Sequence, residues 1–167
     1  YSPAGLQKSV ENSLQTLGLP AVDILFLHEP SALQENDAQR IIENLLDIKR
    51  KGYAKRLGVG GNSPGWFKKY ITPAVFDVVM EYNRLDACCL EALDTVLPEC
   101  EAKEIEFYLA SPLHMGLLGN RFESFTENPP AWLRKKDIDC ARRVKKIADN
   151  HGISLASLSH RFLLTVP

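Results

Sequence analysis

The sequence predicts an α/β protein built on a mainly parallel β-sheet. Four short apolar runs alternate with amphipathic helical segments along the 167 residues. Parallel neighbouring strands need crossover connections, and these helical segments can supply them. The composition is 45% hydrophobic and 25% charged, with a net charge of −1, which is typical of a soluble globular protein.

The first third of the chain predicts two helix-to-strand steps. Ser2 is placed to cap a helix whose apolar residues recur at helical spacing as far as Gly18. The apolar run Val22 to Leu27 is too short for a helix and has turn residues on both sides, so it predicts a buried strand. Residues 37–51 predict a second helix that stops at a glycine, and the segment RLGVGG follows as the second strand.

The rest of the chain predicts two further strands and several helices. A short helix around PGWFKKYI leads to VFDVVMEY as the third strand, and IEFYLASP is the fourth. Between them, LEALDTVLPECEAKE predicts a helix that Pro98 kinks or splits. A polar segment, NRFESFTENPPAW, precedes two helices, DIDCARRVKKIADNH and SLASLSHRFLLTV. No change of composition indicates a linker, so we expect residues 1–167 to form a single domain.

Charge, hydropathy and cysteine spacing argue against several functions. The net charge indicates no nucleic-acid partner, and the basic run from Arg134 to Lys146 interleaves with aspartates, as on a solvated helix face. No apolar run approaches a membrane span of about 20 residues, and YSPAGLQKSV lacks the features of a signal peptide, so we expect a cytoplasmic protein without membrane contact. The four cysteines form no CxxC pair and no zinc spacing with histidine, so we expect no metal.

Polar or glycine-rich residues follow each apolar strand, and the carboxyl ends of parallel strands are where such folds collect their chemistry. Side chains alternate along a strand, so Ile24, Phe26 and His28 share one face. Two interpretations of His28 remain open. It can donate a hydrogen bond to a substrate oxygen or exchange a proton near neutral pH, or a backbone carbonyl can cap it at the rim of the sheet. The pattern alone favours the second interpretation.

Two loops offer further candidate sites. The segment GVGGNS at 58–63 exposes backbone N–H groups to a flat or anionic ligand, but it matches neither the Rossmann nor the P-loop spacing and is also explained by a tight turn. The segment SPLHMGLL at 111–118 places Ser111 where a hydroxyl and loop amides can hold a phosphate, or it is only a loop shaped by proline and glycine. His114 has no identifiable partner and is interpreted as a loop residue, and His151 and His160 as helix residues.

Taken in order, SVENSLQTLGL, VDILFLHEP, LGVGG, EYN, ASPLHMGLL and GISLASLSHRFLL resemble the aldo-keto reductase family along nearly the whole chain. SPLHMGLL followed by NPPAW is most similar to the branch that includes L-galactose, D-arabinose and D-threo-aldose dehydrogenases. The resemblance implies a TIM (β/α)8 barrel that uses NAD or NADP without a Rossmann domain. Since a full barrel needs about 250 residues, we expect a partial TIM barrel of about four to five βα units, with parallel strands and outer helices, from the central to C-terminal portion of the barrel.

The resemblance also implies roles for individual residues. The family's active site is a tetrad of Asp, Tyr, Lys and His, and His28 matches the histidine, which orients the substrate carbonyl or hydroxyl toward the tyrosine. Gly60 and Gly61 lie where the family often has Ser-Asn near the nicotinamide carboxamide. Ser111 and Leu113 fall on the loop that contacts the cofactor pyrophosphate.

The chain also departs from the family pattern. Val79 stands where many members have a glutamine, and Ala110 where many have an aromatic residue that stacks on the nicotinamide. The resemblance places the tetrad Asp, Tyr and Lys outside this sequence, and Tyr1 is not the catalytic tyrosine. We therefore expect negligible turnover by these 167 residues alone. We also expect the exposed sheet edges of a partial barrel to favour self-association or pairing with the missing barrel segments.

Two functions are consistent with these expectations. The first is an NAD(P)-dependent oxidoreductase, as part of a longer enzyme, that passes a hydride between nicotinamide and an aldehyde, ketone or aldose, with sugar 1-dehydrogenation preferred. The alternative is a catalytically silent aldo-keto-reductase-like module, or a truncated homologue that lacks the Asp, Tyr and Lys of the tetrad.

Overall fold

The computed structural model describes residues 2–166, so the expectation about Tyr1 lies outside the described residues. Helices and strands alternate over most of this range. In chain order they are α1 (Pro3–Leu17), β1 (Val22–His28), α2 (Ala38–Arg50), β2 (Ala54–Gly60), β3 (Val78–Tyr82), α3 (Val96–Ala102), β4 (Glu106–Ala110), α4 (Phe122–Glu127), α5 (Lys135–Asn150) and α6 (Leu155–Leu163). Short 3-10 helices at Gly65–Tyr70, Glu91–Asp94 and His114–Gly116 lie in the connections.

The four strands form one sheet in the order β1-β2-β3-β4. Strand β1 pairs with β2 in parallel, and β2 pairs with β3 in parallel. The register places His28 opposite Gly60, and Gly60 opposite Met80. The predicted α/β class with a parallel sheet is therefore confirmed, and strands β1 and β4 are the outer strands of the sheet within the described residues.

Local sequence signals explain the bounds of the first helix. Ser2 Oγ accepts a hydrogen bond from Gly5 N at 3.2 Å, which satisfies one of the free N–H groups at the start of α1. Gly18 adopts a left-handed conformation with φ of 66°, and its N–H bonds to Gln15 O at 3.2 Å, so the helix ends there. Both signals were readable in the sequence.

Three segments differ from the sequence predictions. Strand β3 begins only at Val78, and the Asp77 carboxylate before it accepts hydrogen bonds from Leu57 N at 2.8 Å and Lys49 Nζ at 2.7 Å. The helix predicted around Pro98 is split, but the break is at Thr95, whose φ and ψ are −128° and −90°, and Pro98 lies inside α3. The polar segment before α5 contains α4, because Phe122 packs against a hydrophobic core cluster.

The chain divides into two compact units, each with its own core. The first unit contains the residues up to Met80 together with Glu99–Tyr108, and the second contains Glu81–Pro98 together with the residues from Leu109 onward. In the first unit, Val10 and Leu14 of α1 pack with Ile48 of α2. In the second, the buried cluster consists of Leu117, Leu118, Leu133, Ile138, Ala141 and Leu155. The expectation of a single domain stays a prediction.

Within residues 2–166, no helix combines the length and the apolar composition that a membrane crossing requires.

Candidate functional site

In the first unit, the end of β1 brings His28 and Gly60 together. His28 is the last residue of β1 and is exposed. A Cβ atom on Gly60 would lie 3.9 Å from His28 Cδ2 and 3.6 Å from Phe26 Cδ1, so Phe26 and His28 lie on one face beside this glycine. This is the alternation expected of a strand. The imidazole of His28 is therefore presented to solvent at the carboxyl end of β1.

Glycines in β2 make room for the aromatic ring before His28. Gly58 lies opposite Phe26 in the register, and a Cβ atom on Gly58 would lie 2.4 Å from Phe26 Cε1. The Phe26 ring also lies near Tyr108, with 6.4 Å between the ring centroids. The glycine at 58 thus serves packing on the sheet face that carries His28.

A neighbouring carboxylate occupies the space that a side chain on Gly61 would need. Gly61 has φ of 99°, and a Cβ atom there would lie 2.7 Å from Glu29 Oε1. Glu29 has a left-handed φ of 53°, and its N–H bonds to Gly60 O at 2.7 Å. This turn interrupts the strand alternation and brings the Glu29 carboxylate to the space beside Gly61. The sequence does not indicate this role of Glu29, because strand alternation alone places it on the face opposite His28.

A buried acceptor lies immediately after these glycines. Asn62 Oδ1 is buried and accepts no hydrogen bond from any described residue. Buried polar atoms of this kind are rare, since most find a partner in the protein or in bound molecules. Asn62 Oδ1 thus has an unused acceptor capacity at the end of β2.

In the second unit, the loop after β4 carries Ser111 and Leu113. Both side chains are half-buried, and Ser111 has a left-handed φ of 56°. Ser111 Oγ donates to Met115 Sδ at 3.4 Å. Sulfur is a weak acceptor, so a stronger one such as a phosphate oxygen can replace it.

His114 corrects one expectation from the sequence. It is not a loop residue without a partner: it is 2% exposed, and its Nδ1 lies 2.7 Å from Asp86 Oδ2. Its Nε2 lies 3.7 Å from Asp137 Oδ2. Asp86 and Asp137 are themselves buried. The partner of His114 is an aspartate just past the end of β3, and neither local sequence indicates that these two side chains meet.

Arg134 also departs from the expected solvated helix face. Its Nε donates to Asp137 Oδ2 at 2.6 Å and its Nη2 to Asp137 Oδ1 at 3.1 Å, while Nη1 bonds to Glu91. The Asp137 carboxylate holds the pKa of the Arg134 guanidinium above its ordinary value. Hydrogen bonds from Lys136, then from Arg134 and Arg84, outweigh partial burial and lower the pKa of Glu91 to about 2. Glu91 and Arg134 therefore keep their charges at neutral pH.

The thiol of Cys88 lies in the second unit near the same carboxylates. Burial raises its pKa, and the charge of Asp86 raises it further. A protonated thiol is a poor nucleophile, so this geometry supports packing as the role of Cys88. Among residues 2–166, no group of three His, Cys, Asp or Glu side chains is arranged to hold a metal ion.

Comparison with known proteins identifies the chain. Its sequence matches the Aldo/keto reductase family over residues 1–167. It is 24% identical to a D-threo-aldose 1-dehydrogenase from a Pseudomonas species, over 98% of this chain and 50% of that protein. It is 29% identical to an L-galactose dehydrogenase from Arabidopsis thaliana, over 79% of this chain and 40% of that protein. The chain thus spans half or less of the length of these curated relatives.

Solved structures agree on the fold. A glycerol dehydrogenase from Gluconobacter oxydans superposes with a TM-score of 0.64 at 20% identity, covering 97% of this chain and 52% of that one. An aldo/keto reductase from Klebsiella pneumoniae, solved with NADP and acetate, superposes with a TM-score of 0.62 at 16% identity, covering 97% of this chain and 51% of that one. The fold is that of about half of an aldo/keto reductase barrel.

The parallel sheet with outer helices therefore defines an α/β protein of the barrel class. The match over the whole chain makes the assignment specific: the protein belongs to the aldo/keto reductase family. The two curated relatives carry names from the sugar dehydrogenase branch that the motifs resembled.

Proposed function

We propose that this chain is part of an NAD(P)-dependent oxidoreductase that passes a hydride between nicotinamide and the carbonyl carbon of an aldehyde, ketone or aldose. Membership of the aldo/keto reductase family supports oxidoreduction, and the names of the two curated relatives favour an aldose oxidised at its first carbon. The observation that carries the proposal is His28, a solvent-facing imidazole at the end of β1 beside Gly60.

In this proposal His28 holds the substrate oxygen. An imidazole N–H donates a hydrogen bond to a carbonyl oxygen, or to the hydroxyl oxygen in the reverse reaction. Phe26 and Gly58 below it fix the strand face from which the ring projects. Because strand ends are held by the sheet, the ring position is better defined than it would be on a free loop.

The residues present fit an NAD(P) cofactor, which supplies or accepts the hydride at nicotinamide C4 when bound. At the end of β2, Asn62 Oδ1 lacks a described donor and can accept a carboxamide N–H. Gly60 lacks a side chain next to His28, so a flat ring can approach the backbone there. Gly61 is proposed to act through its backbone, since Glu29 fills its side-chain space. Ser111 and Leu113 are proposed to contact the pyrophosphate.

The proposal is tested with the protein in its full natural length. NADPH and NADH are titrated by cofactor fluorescence, and aldose-dependent reduction of NAD and NADP is followed through the near-ultraviolet absorbance of the reduced nicotinamide. His28→Ala is expected to bind cofactor within about twofold of wild type and to lose about 100-fold or more in kcat. His160→Ala removes a second exposed histidine, on α6, and serves as the matched control.

Two results would contradict the proposal. Absence of NADPH and NADH binding by the wild-type protein would favour the catalytically silent module instead. Unchanged turnover in His28→Ala would remove His28 from the chemistry. A third assay uses the 167-residue chain alone, for which we propose negligible sugar oxidation.

The outer edge of the sheet at β1 is a candidate surface for association with other strands. Strand β1 is an outer strand of the sheet that the described residues form. The backbone N–H and C=O groups on its free edge are therefore available to pair with a further strand. We propose that further barrel strands or a second copy of the chain pair there. Light scattering coupled to size exclusion would detect the second copy.

A further inference from the structure

The loop after β4 has an unusual backbone. Four of its residues have positive φ: Ser111 at 56°, His114 at 49°, Met115 at 55° and Gly116 at 104°. Residues other than glycine are strained in a left-handed conformation. A segment with three such residues persists only when its surroundings hold it, and such segments cluster at functional sites. Something outside the loop must therefore hold residues 111–116.

Leu113 packs against the buried cluster of the second unit, and the buried side chain of His114 adds a hydrogen bond that ties the loop to another segment. Its Nδ1 lies 2.7 Å from Asp86 Oδ2, and its ring stacks on Trp132 with 6.4 Å between centroids. Because the carboxylate is an acceptor, Nδ1 carries the proton and donates. The other oxygen, Asp86 Oδ1, accepts from Cys88 N at 2.7 Å and Cys89 N at 3.0 Å. One carboxylate thus joins the loop to the segment that follows β3.

The second carboxylate near the ring has a different partner. Asp137 Oδ2 lies 3.7 Å from His114 Nε2, which is too long for a hydrogen bond. Arg134 holds Asp137 through two hydrogen bonds, at 2.6 and 3.1 Å. The Asp137 carboxylate is therefore hydrogen-bonded by Arg134 without a contribution from His114. In contrast, no described side chain other than His114 bonds to the Asp86 carboxylate. The pair that matters is Asp86 and His114.

Simple packing does not account for this arrangement. An apolar side chain at 114 would fill the volume but leave the Asp86 carboxylate, which is fully buried, without its side-chain donor. It would also have to adopt a left-handed backbone conformation, which bulky apolar residues rarely do. The histidine meets both requirements of the site.

We propose that His114 is a positioning residue: its hydrogen bond to Asp86 holds residues 111–116 in the conformation from which Ser111 and Leu113 contact the cofactor. The proposal rests on the proposed function for the contact with NAD(P), but the anchoring of the loop stands on the hydrogen bond and backbone geometry alone.

Two measurements on the protein of full natural length test the anchoring of the loop and its effect on cofactor binding separately. Hydrogen exchange without cofactor reports the loop, through the amides of His114, Gly116, Leu117 and Leu118, which bond within the loop to Ser111, Leu113 and His114 carbonyls. NADPH titration reports the consequence for binding. His114→Ala is expected to speed exchange at these amides about tenfold or more and to raise the NADPH dissociation constant by a similar factor.

A conservative variant separates the hydrogen bond from the loss of volume. Asparagine tolerates left-handed backbone conformations and its Nδ2 can donate to Asp86, so His114→Asn is expected to restore both readouts to within about threefold of wild type. Asp86→Ala removes the acceptor of the His114 hydrogen bond and is expected to loosen the same amides while leaving α1 amides unchanged. His151→Ala, at an exposed position after α5, is the histidine control.

Each outcome bears on the proposal. Unchanged loop exchange in His114→Ala would overturn the anchor. If that variant does not fold, unchanged loop exchange in Asp86→Ala would overturn it. Faster exchange with an unchanged dissociation constant would overturn the positioning role. Failure of His114→Asn to restore the loop would overturn the hydrogen-bond explanation. If the wild type bound neither NADPH nor NADH, the proposed function would fail, while the exchange data would still decide whether His114 anchors the loop.

Discussion

Gly58→Ala tests the packing that supports His28. A Cβ atom at position 58 would lie 2.4 Å from Phe26 Cε1 and 2.5 Å from Cδ1. Carbon atoms pack at about 3.5–4.0 Å, so the ring or the strand must move by more than about 1 Å. Tyr108 lies beside the ring, with 6.4 Å between centroids, and restricts that movement. Overpacking of this kind costs about 1–3 kcal/mol.

An opposing effect comes from the unfolded chain. Replacing glycine by alanine lowers the entropy of the unfolded state and stabilises a protein by about 0.4–1 kcal/mol where the backbone accepts alanine. Gly65→Ala isolates this effect, because a Cβ atom on Gly65 would have nothing within 4 Å and the φ of this residue is not left-handed. We therefore expect Gly58→Ala to lower the free energy of unfolding by about 1–2 kcal/mol and Gly65→Ala to leave it unchanged or raise it.

Urea denaturation of the full-length protein, followed by circular dichroism, measures both variants, and a double-mutant cycle with Phe26→Leu assigns the cause. If the clash with the ring is responsible, most of the penalty disappears in the Phe26→Leu background, with a coupling energy of about 1 kcal/mol or more. A Gly58→Ala protein as stable as Gly65→Ala, or an equal penalty with and without Phe26, would refute this reasoning.

Three further substitutions test electrostatics and capping, each by urea denaturation. The lowered pKa of Glu91, about 2 against an ordinary 4.5, means that its carboxylate stabilises the fold above about pH 4.5 and that this contribution is lost as the pH falls through about 2. Because its partners Arg84 and Lys136 are exposed to solvent, Glu91→Gln should cost only about 1–2 kcal/mol at pH 7, and the difference from wild type should shrink as the pH falls from 4.5 to 2. Asp77→Asn should cost about 1–3 kcal/mol at pH 7, since Lys49 loses a charged partner, and the difference from wild type should shrink below pH 3.8, the ordinary pKa of Asp77. Ser154→Ala, which removes the α6 cap on Ser157 N, should cost about 1 kcal/mol at every pH tested, and a variant as stable as wild type would contradict the capping role.

Secondary structure was readable from the sequence where its causes are local. The cap at Ser2, the left-handed glycine at 18 and the apolar run of β1 each act within a few residues, and α1 and β1 end close to where these signals place them. The split near Thr95 and the start of β3 were misplaced. At β3 the reason is tertiary, because Asp77 bonds to Leu57 and Lys49 before the strand begins.

The candidate site divides in the same way. The strand pattern placed His28 at the end of β1, as the structure has it, and its role in the chemistry stays a prediction from the family motif. The role of Glu29 beside Gly61 was not identifiable, since it follows from one residue with a left-handed φ of 53°.

By itself, the sequence determined the family, the alternation of helices and strands, and the position of His28 at a strand end, because hydrophobic periodicity and short motifs are local properties. Only the tertiary structure decided the hydrogen-bond partner of His114. Its partner Asp86 is 28 residues earlier in the chain, and nothing in either local segment indicates the other. A buried polar pair depends on which surfaces the fold brings together and seals from water, and that is settled only when the core is packed.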